Sequence, residues 1–519
     1  MSHGGSDSAA DLQRRAVRGA LWTFIHLGVS LPLGFVVNLV VARHLGVVDF
    51  GRLATLTLAV DITVAIAGVG MGSALVQFGA KAHSAGRRTE VHQLLRAAQG
   101  YQLLVQFPLV TASVLVLSST FGLPVSAMVW VWLFGVLLPA LTAPAAACFG
   151  IENRGDLGAK LAMASSVVSG LASIAVVMAG GSAALLWGTR LCVAGLLPAV
   201  ALWLIAKDYR RAICRPTPPR LPGRFWRFAL PTGLASLAGM AVSSRIEVFA
   251  LTWSALVEAA GLYALAFGLA AHAFAPAQAL AGPLLAAIAA LREVSAQAAR
   301  PAFERALRAS SAVAGLLVAG AIPALAALVP MLYGSAFAAA GPLLVVLGAA
   351  GGFGILNGPL GVFAQSRLAG RLVLRAAAAA LVVDVGAALA LVPHWAAWGA
   401  VAATTAGTLV QFVVLSVSER ADLGVGVWEF SRLIAPLLLA LPVSGLATWL
   451  SAGVTSVVAG ALCAGTSGLV IWVLLVRLSA VGLRPSDAAA IVASLPEPLR
   501  AVGHPLLRAI TSKPGSQRA

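Results

Sequence analysis

Arg245 and Glu247 stand two residues apart in AVSSRIEVFALTW (Ala241 to Trp253), a stretch inside a long apolar run. Three more ionisable residues sit in comparable surroundings: Arg190, Asp61 and Asp384. Such groups can bind an anion, pair with an opposite charge, or carry a proton or small cation. A helical rise of about 1.5 Å per residue puts them at similar depths from the nearer end of their runs. The depth is roughly 12 Å for Arg245 and Arg190, about 9 Å for Glu247, about 15 Å for Asp61 and about 13 Å for Asp384. A charge at the centre of an apolar helix costs about 2.5–3.5 kcal/mol, so it should face a bundle interior or a wet cavity. Arg245 and Glu247 cannot neutralise each other, because only three- or four-residue spacings bring helical side chains together. Each needs a partner on another helix, with Asp61 and Asp384 as candidates for Arg245, or water, or a ligand. Interhelical ion pairs and a hydrated cavity both satisfy this pattern. Arg43 and Arg52, like Asp49 and Glu258, fall at or near short turns, where anchoring at a membrane interface is the plainer alternative to binding.

The elements that position these residues follow from composition. Of 519 residues, 60% are hydrophobic and 10% charged, against roughly 25% charged in soluble chains. Apolar runs of about 20 residues, each long enough to cross a hydrocarbon core of roughly 30 Å, recur from end to end. Breaking the chain at charged, Gly- or Pro-bearing stretches predicts fourteen spans between residues 18 and 477. All of the 35 cationic residues except Arg43, Arg52, Arg190 and Arg245 fall on alternate loops and the two tails. The other loops are as short as GGSA or LVPHW. Lys/Arg excess marks the cytoplasmic side, which places both termini there. It also accounts for the net charge of +17 without a nucleic-acid partner. The N-terminal apolar stretch is too long for a signal-peptide core and is expected to be an uncleaved first span.

Residues about 210 apart repeat. RGALWT (Arg18 to Thr23) recurs as RFALPT (Arg227 to Thr232), and DFGRLA (Asp49 to Ala54) recurs loosely as AAGLYA (Ala259 to Ala264). The expected fold is an all-α membrane protein of 14 transmembrane helices: two parallel-repeat six-helix lobes plus two extra C-terminal helices. An N-tail (1–17) precedes an N-lobe (18–206). A cytoplasmic Arg/Pro-rich linker (207–226), read as a solvated tether touching anionic lipid heads, leads to a C-lobe (227–418). Spans 13 and 14 (419–477) and a cytoplasmic C-tail (478–519) follow. In parallel-repeat transporters the substrate path lies between halves.

Several chemistries are excluded. The residues before the four lysines are Ala80, Ala159, Ala206 and Ser512, so no Walker A lysine exists. No HExxH or GxSxG occurs, and the outer loops are too small for a catalytic domain. The four isolated cysteines form neither a zinc pattern nor a disulfide framework. No cofactor or metal is expected, and transport is favoured over catalysis. GVGMG (Gly68 to Gly72) is read as close helix packing within an apolar helix. His272 is read as a hydrogen-bonded bundle histidine. Pro32, Pro276, Pro283, Pro323 and Pro359 are expected to kink their spans.

The stretch Asn38 to Phe78 resembles the opening signature of the polysaccharide (Wzx-like) flippase family of the MATE/MurJ-type exporter superfamily. SSRIEVFALTWSALVEAAGLYALAF (Ser243 to Phe267) is similar to that family's seventh-helix pattern, with Arg245, Glu247, Gly261, Tyr263 and Ala264 in its places. ALALVPHWAAWGAVAATTAGTLVQF (Ala388 to Phe412) looks like the entry to its twelfth helix, through Pro393, Gly399, Ala400, Ala403 and Thr404. Asp384 stands where the family often has a neutral amide. The resemblance implies export of a polyprenyl-pyrophosphate-linked oligosaccharide across the bacterial plasma membrane by alternating access, for surface polysaccharide biosynthesis. Arg245, Arg190, Arg43 and Arg52 would then hold the anionic head. Asp61, Glu247 and Asp384 would serve H+ or Na+ coupling or act as counter-charges. Expected partners are the lipid-linked oligosaccharide and membrane lipids, with a polysaccharide polymerase and glycosyltransferases as further candidates. A cation-coupled MATE-like small-molecule exporter and a lipid II flippase are the alternatives on the same scaffold.

Overall fold

The computed structural model describes residues 9–243, 246–278, 288, 298–367, 369–484 and 511. These form helices joined by short turns, in the order α1 (Ala9–Gly68), α2 (Met71–Ser84), α3 (Arg88–Thr120), α4 (Val125–Thr142), α5 (Pro144–Ile151), α6 (Gly155–Met178), α7 (Ala183–Leu204), α8 (Lys207–Ile213) and α9 (Gly223–Ser243). Then come α10 (Glu247–Trp253), α11 (Val257–Gln278), α12 (Ala299–Tyr333), α13 (Ala340–Ser366), α14 (Gly370–Trp395), α15 (Ala397–Asp422), α16 (Val427–Ser451) and α17 (Val457–Leu478). Among the described residues, 12 helices are long and apolar enough to cross a membrane. Large apolar side chains such as Val116, Trp203, Val382 and Leu389 point outward, a surface that suits lipid rather than water.

The chain divides into two compact units, Met1–Met240 and Ala241–Ala519. In the first, α1 packs along α6, and α7 packs on both α6 and α4. A core of Leu75, Leu95, Cys148, Phe149, Tyr209, Ile213 and Phe225 joins α2, α3, α5, α8 and α9. In the second, α14 and α15 form a tight helical hairpin, and α13 packs between α15 and α11. On the opposite side, α16 and α17 pack against α12.

The turns differ from expectation in three places. Spans 1 and 2 are joined by no loop. Two helices meet at Gly46, within residues 43–51, and its non-helical φ of 72° and ψ of 177° suit a residue without Cβ. The apolar segment Ile25–Gly68 has 44 residues, or about 66 Å of helix, enough for two crossings of a ~30 Å core. GVGMG, expected inside a continuous helix, instead breaks it. Val69 and Gly70 take φ of 33° and 71°. A Cβ on Gly70 would lie 2.2 Å from the Ala229 carbonyl oxygen, and one on Gly233 would lie 2.5 Å from the Val69 carbonyl carbon. Backbone meets backbone there, so the close packing read from the glycines holds and the unbroken helix does not.

The third difference is the 207–226 linker, which is structured rather than a solvated tether. It begins with α8, and its Thr217 N–H donates to the Arg96 carbonyl at 3.2 Å. The Thr217 carbonyl oxygen fills the place of a Gly100 side chain, 1.9 Å from an ideal Cβ. Apolar positions on α8 (Tyr209, Ala212, Ile213) face the core and draw the segment down.

Proline placement has a local signature that the sequence reading missed. Wide π-helical turns run over Gln102–Gln106, Val131–Leu137 and Leu317–Ala321. Each sits just before a proline, namely Pro108, Pro139 and Pro323. A proline lacks an N–H and collides with the carbonyl one turn back. Widening that turn lets the freed carbonyls bond elsewhere, as lipid-embedded helices require. Pro283 lies outside the described residues.

Candidate functional site

In the second unit, four polar side chains from four helices converge. Glu247 opens α10 and is 2% exposed, and Asp384 lies midway along α14 at 1%. Tyr263 on α11 is fully buried, and Thr404 faces them from α15. Thr404 Oγ1 is hydrogen-bonded to Glu247 Oε1, to the Tyr263 hydroxyl at 2.7 Å and to the Ala400 carbonyl at 3.1 Å. A threonine hydroxyl has one proton. The carboxylate is the strongest acceptor in reach, so Thr404 donates to Glu247 and Tyr263 donates to Thr404.

The Asp384 carboxyl group neighbours that of Glu247, and its Oδ1 has no protein partner. Two carboxyl groups in contact within a buried site repel unless a proton or a cation lies between them. The contact depends on Gly407, since a Cβ there would lie 2.9 Å from Asp384 Cβ. Glycine at this position lets α15 close on α14 beside the acid. The oxygen-rich set of Glu247, Asp384 and Thr404 can hold a proton or a small hard cation, which prefers oxygen ligands.

Glu247 and Asp384 were expected at similar depth, and the fold brings them into contact. Thr404 and Tyr263 had no role in the residue-by-residue reading, although both stood in the motifs carrying the family resemblance. Hydroxyls are common in apolar helices, and only the crossing of α10, α11 and α15 gives these two a purpose. Asp384 meets Glu247 rather than a guanidinium among the described residues. Arg245 lies outside those residues, as does the expected pairing of its guanidinium.

The other candidates belong to the first unit. Arg190, half-buried on α7, donates from Nε to Ser173 Oγ on α6 at 3.0 Å. Among the described residues it meets no carboxylate. The indole Nε1 of Trp187, one turn earlier on the same helix face, is buried without a hydrogen-bond acceptor. Arg43 and Asp61 are exposed on α1. Arg52 is exposed and bound to Asp49 at 2.9 Å, three residues back, a local surface pair of the anchoring kind. His272 is hydrogen-bonded to the Gly268 carbonyl at 2.7 Å, the bundle role expected of it.

A cavity of about 490 Å³ opens within the first unit at the α1–α2 break. Gly68, Gly70, Ser73, Gln102 and Gln106 line its polar part, and Phe107, Leu237 and Met240 its apolar part. Among the described residues no charged side chain lines it, so that lining suits a neutral polar or apolar group, and none of the six described site candidates is among its lining residues.

Comparisons with known proteins agree with this architecture. An inward-facing multidrug resistance MATE family transporter of the MOP superfamily superimposes with a TM-score of 0.59 at 16% identity, covering 78% of this chain and 98% of that one. The lipid II flippase MurJ, in an inward closed conformation, gives a TM-score of 0.59 at 13% identity over 88% and 97%. A MOP superfamily transporter from Pyrococcus furiosus gives 0.51 at 17% over 80% and 96%. At these identities the matches establish the fold. No curated protein sequence matches the chain. Residues 16–278, just over half of the chain, match the family described as "Polysaccharide biosynthesis protein". The chain therefore belongs to that polysaccharide biosynthesis family, with the fold that the MATE and MurJ transporters share and, among the described residues, 12 helices long and apolar enough to cross a membrane.

Proposed function

We propose that the protein carries a polyprenyl-pyrophosphate-linked oligosaccharide across the bacterial plasma membrane for surface polysaccharide synthesis. Family membership over residues 16–278 is the observation that carries this reading. The half-buried Arg190, bound to a serine hydroxyl and facing no described carboxylate, supports it. A guanidinium that must enter an apolar bundle is retained where it meets an anion, and a diphosphate is one. Arg245 is proposed as its counterpart on the second unit. Glu247 and Asp384 form the coupling pair, alternately binding and releasing H+ or Na+ as the carrier changes state, with Asp61 as a further acid. A polymerase and glycosyltransferases would act on the same lipid-linked glycan before and after transport.

A reconstituted flipping assay tests this. Proteoliposomes containing the protein and a fluorescent polyprenyl-pyrophosphate glycan should expose the glycan to an external lectin. Arg190→Ala and Arg245→Ala should lower the rate at least about tenfold, the scale of losing one charge-assisted contact. Arg190→Lys, which keeps charge without the planar fork, should fall between them and the parent. Equal flipping by parent and both alanine variants sinks the assigned roles. The Glu247–Asp384 pair also suits a cation-coupled small-molecule exporter. That second reading predicts ion-driven efflux of small cationic dyes and no glycan flipping.

A further inference from the structure

A second cleft, distinct from the sites above and lying wholly within the first unit, has the chemistry of an anion receptor. It encloses about 540 Å³ where the start of α3 meets the end of the 207–226 segment, a size typical of ligand sites, which run to roughly 300–1,000 Å³. Its rim carries Arg87, Arg220 and Arg224 around one acid, Glu90. Arg87 reaches Glu90 at 2.5 Å and Arg224 reaches it at 3.2 Å, so one carboxylate serves two guanidiniums. Arg220 meets no carboxylate among the described residues. The cleft thus keeps two uncompensated positive charges, and the positive end of the α3 dipole at Thr89 adds to them.

The floor has the opposite character. The half-buried Phe78 and Leu221 line it, backed by the buried Leu94 and Phe225, and the Phe78 and Phe225 rings pack with centroids 5.5 Å apart. A cationic rim over an apolar floor fits an amphiphile better than a free anion, because a bare phosphate gains nothing from the floor. The segment that supplies Arg220 and Leu221 is anchored three residues earlier, where Thr217 is fixed to Arg96 and lies against Gly100, so little ordering is needed when a ligand enters.

We propose that this cleft binds a phosphate ester, supplied by the headgroup of an anionic phospholipid whose glycerol and first methylenes rest on the Phe78 and Leu221 side chains. The inference stands apart from the transported substrate and from the reading of the carboxylate pair. It assigns the Arg-rich connection a specific lipid seat in place of the diffuse contact expected from charge alone.

The experiment is native mass spectrometry of the full-length protein titrated with phosphatidylglycerol, with phosphatidylcholine as the zwitterionic comparison and inorganic pyrophosphate as the soluble competitor. Phosphatidylglycerol should be retained over phosphatidylcholine. Arg220→Gln, which breaks no ion pair, should weaken its retention about fivefold, the worth of one basic residue against an anionic headgroup. Glu90→Gln, which frees two guanidiniums, should strengthen it. The exposed Arg371→Gln, an equal change in net charge elsewhere, should leave it unchanged. The proposal is overturned if Arg371→Gln weakens binding as much as Arg220→Gln, or if Arg220→Gln has no effect. Displacement by pyrophosphate at equal concentration overturns the lipid assignment. Should Arg220→Gln fail to fold, Glu90→Gln decides alone, and absence of a gain sinks the idea.

Discussion

Thr404 donates its hydroxyl proton to Glu247, a residue 157 positions earlier in the chain, and takes one from Tyr263. Asp384 completes the group from the neighbouring helix of the α14–α15 hairpin. Each group in this relay is buried, so each depends on the others for its hydrogen bonds.

Removing the central hydroxyl should therefore cost stability. Thr404→Ala leaves the Tyr263 hydroxyl and the Glu247 carboxylate each short of a partner, an expected loss of about 1–3 kcal/mol. Thr404→Ser keeps the hydroxyl and should stay close to the parent. Thermal unfolding of the two purified variants in detergent checks this, and equal midpoints for both would show that the relay carries no stability.

Asp384→Asn tests the acid pair separately from the fold. The amide retains hydrogen-bonding capacity toward Glu247 and nearly the same shape, so the variant should fold. It can no longer hold a shared proton or balance a cation. Transport by Asp384→Asn should lose its dependence on an imposed H+ or Na+ gradient, read as the rate with and without that gradient. A gradient response equal to the parent's would remove Asp384 from coupling.

The glycine crossing should tolerate no side chain. Gly70→Ala places a Cβ 2.2 Å from the Ala229 oxygen in a left-handed backbone that costs an L-residue about 1–2 kcal/mol. Overpacking adds about 1–3 kcal/mol. Gly233→Ala meets the overlap without the backbone penalty and should be milder. Gly28, with nothing within 4 Å of an ideal Cβ, should accept alanine with no loss. Membrane expression and melting midpoint of the three variants should follow that order.

Outside the spans, Tyr209 on α8 is hydrogen-bonded to His83 Nδ1 at 2.6 Å. Burial, helped by the nearby Glu152 charge, pushes its phenol up to about 12 from an ordinary 10.0. The folded protein then binds this proton more tightly than the unfolded chain. The resulting stability is fully present below pH 10 and is lost as pH rises toward 12. In an ultraviolet titration, the tyrosinate absorbance that appears near pH 12 should be smaller in Tyr209→Phe by the share of one of the four tyrosines. The variant should also lose less stability than the parent across that alkaline window.

Much of the architecture was legible from the chain alone, for a physical reason. In a bilayer each span must be apolar over its full length and close its own backbone hydrogen bonds, so composition and charge placement mark helices without knowledge of their neighbours. Glu247 and Asp384 were visible as buried acids by the same logic, since a charge within an apolar run is conspicuous. Tertiary structure alone decided what those acids touch. The close approach of α15 to Asp384 on α14 depends on Gly407, and the meeting of Glu247 with Asp384 depends on how α10 crosses that hairpin; nothing in the local sequence encodes either. The same holds for the break at Gly70, where glycine was visible but its purpose, room for Ala229 and Gly233, belongs to a helix some 160 residues later. Thr217 against Gly100 repeats the lesson: hydropathy reports what a segment can lie in, while close packing of specific surfaces determines what it lies against.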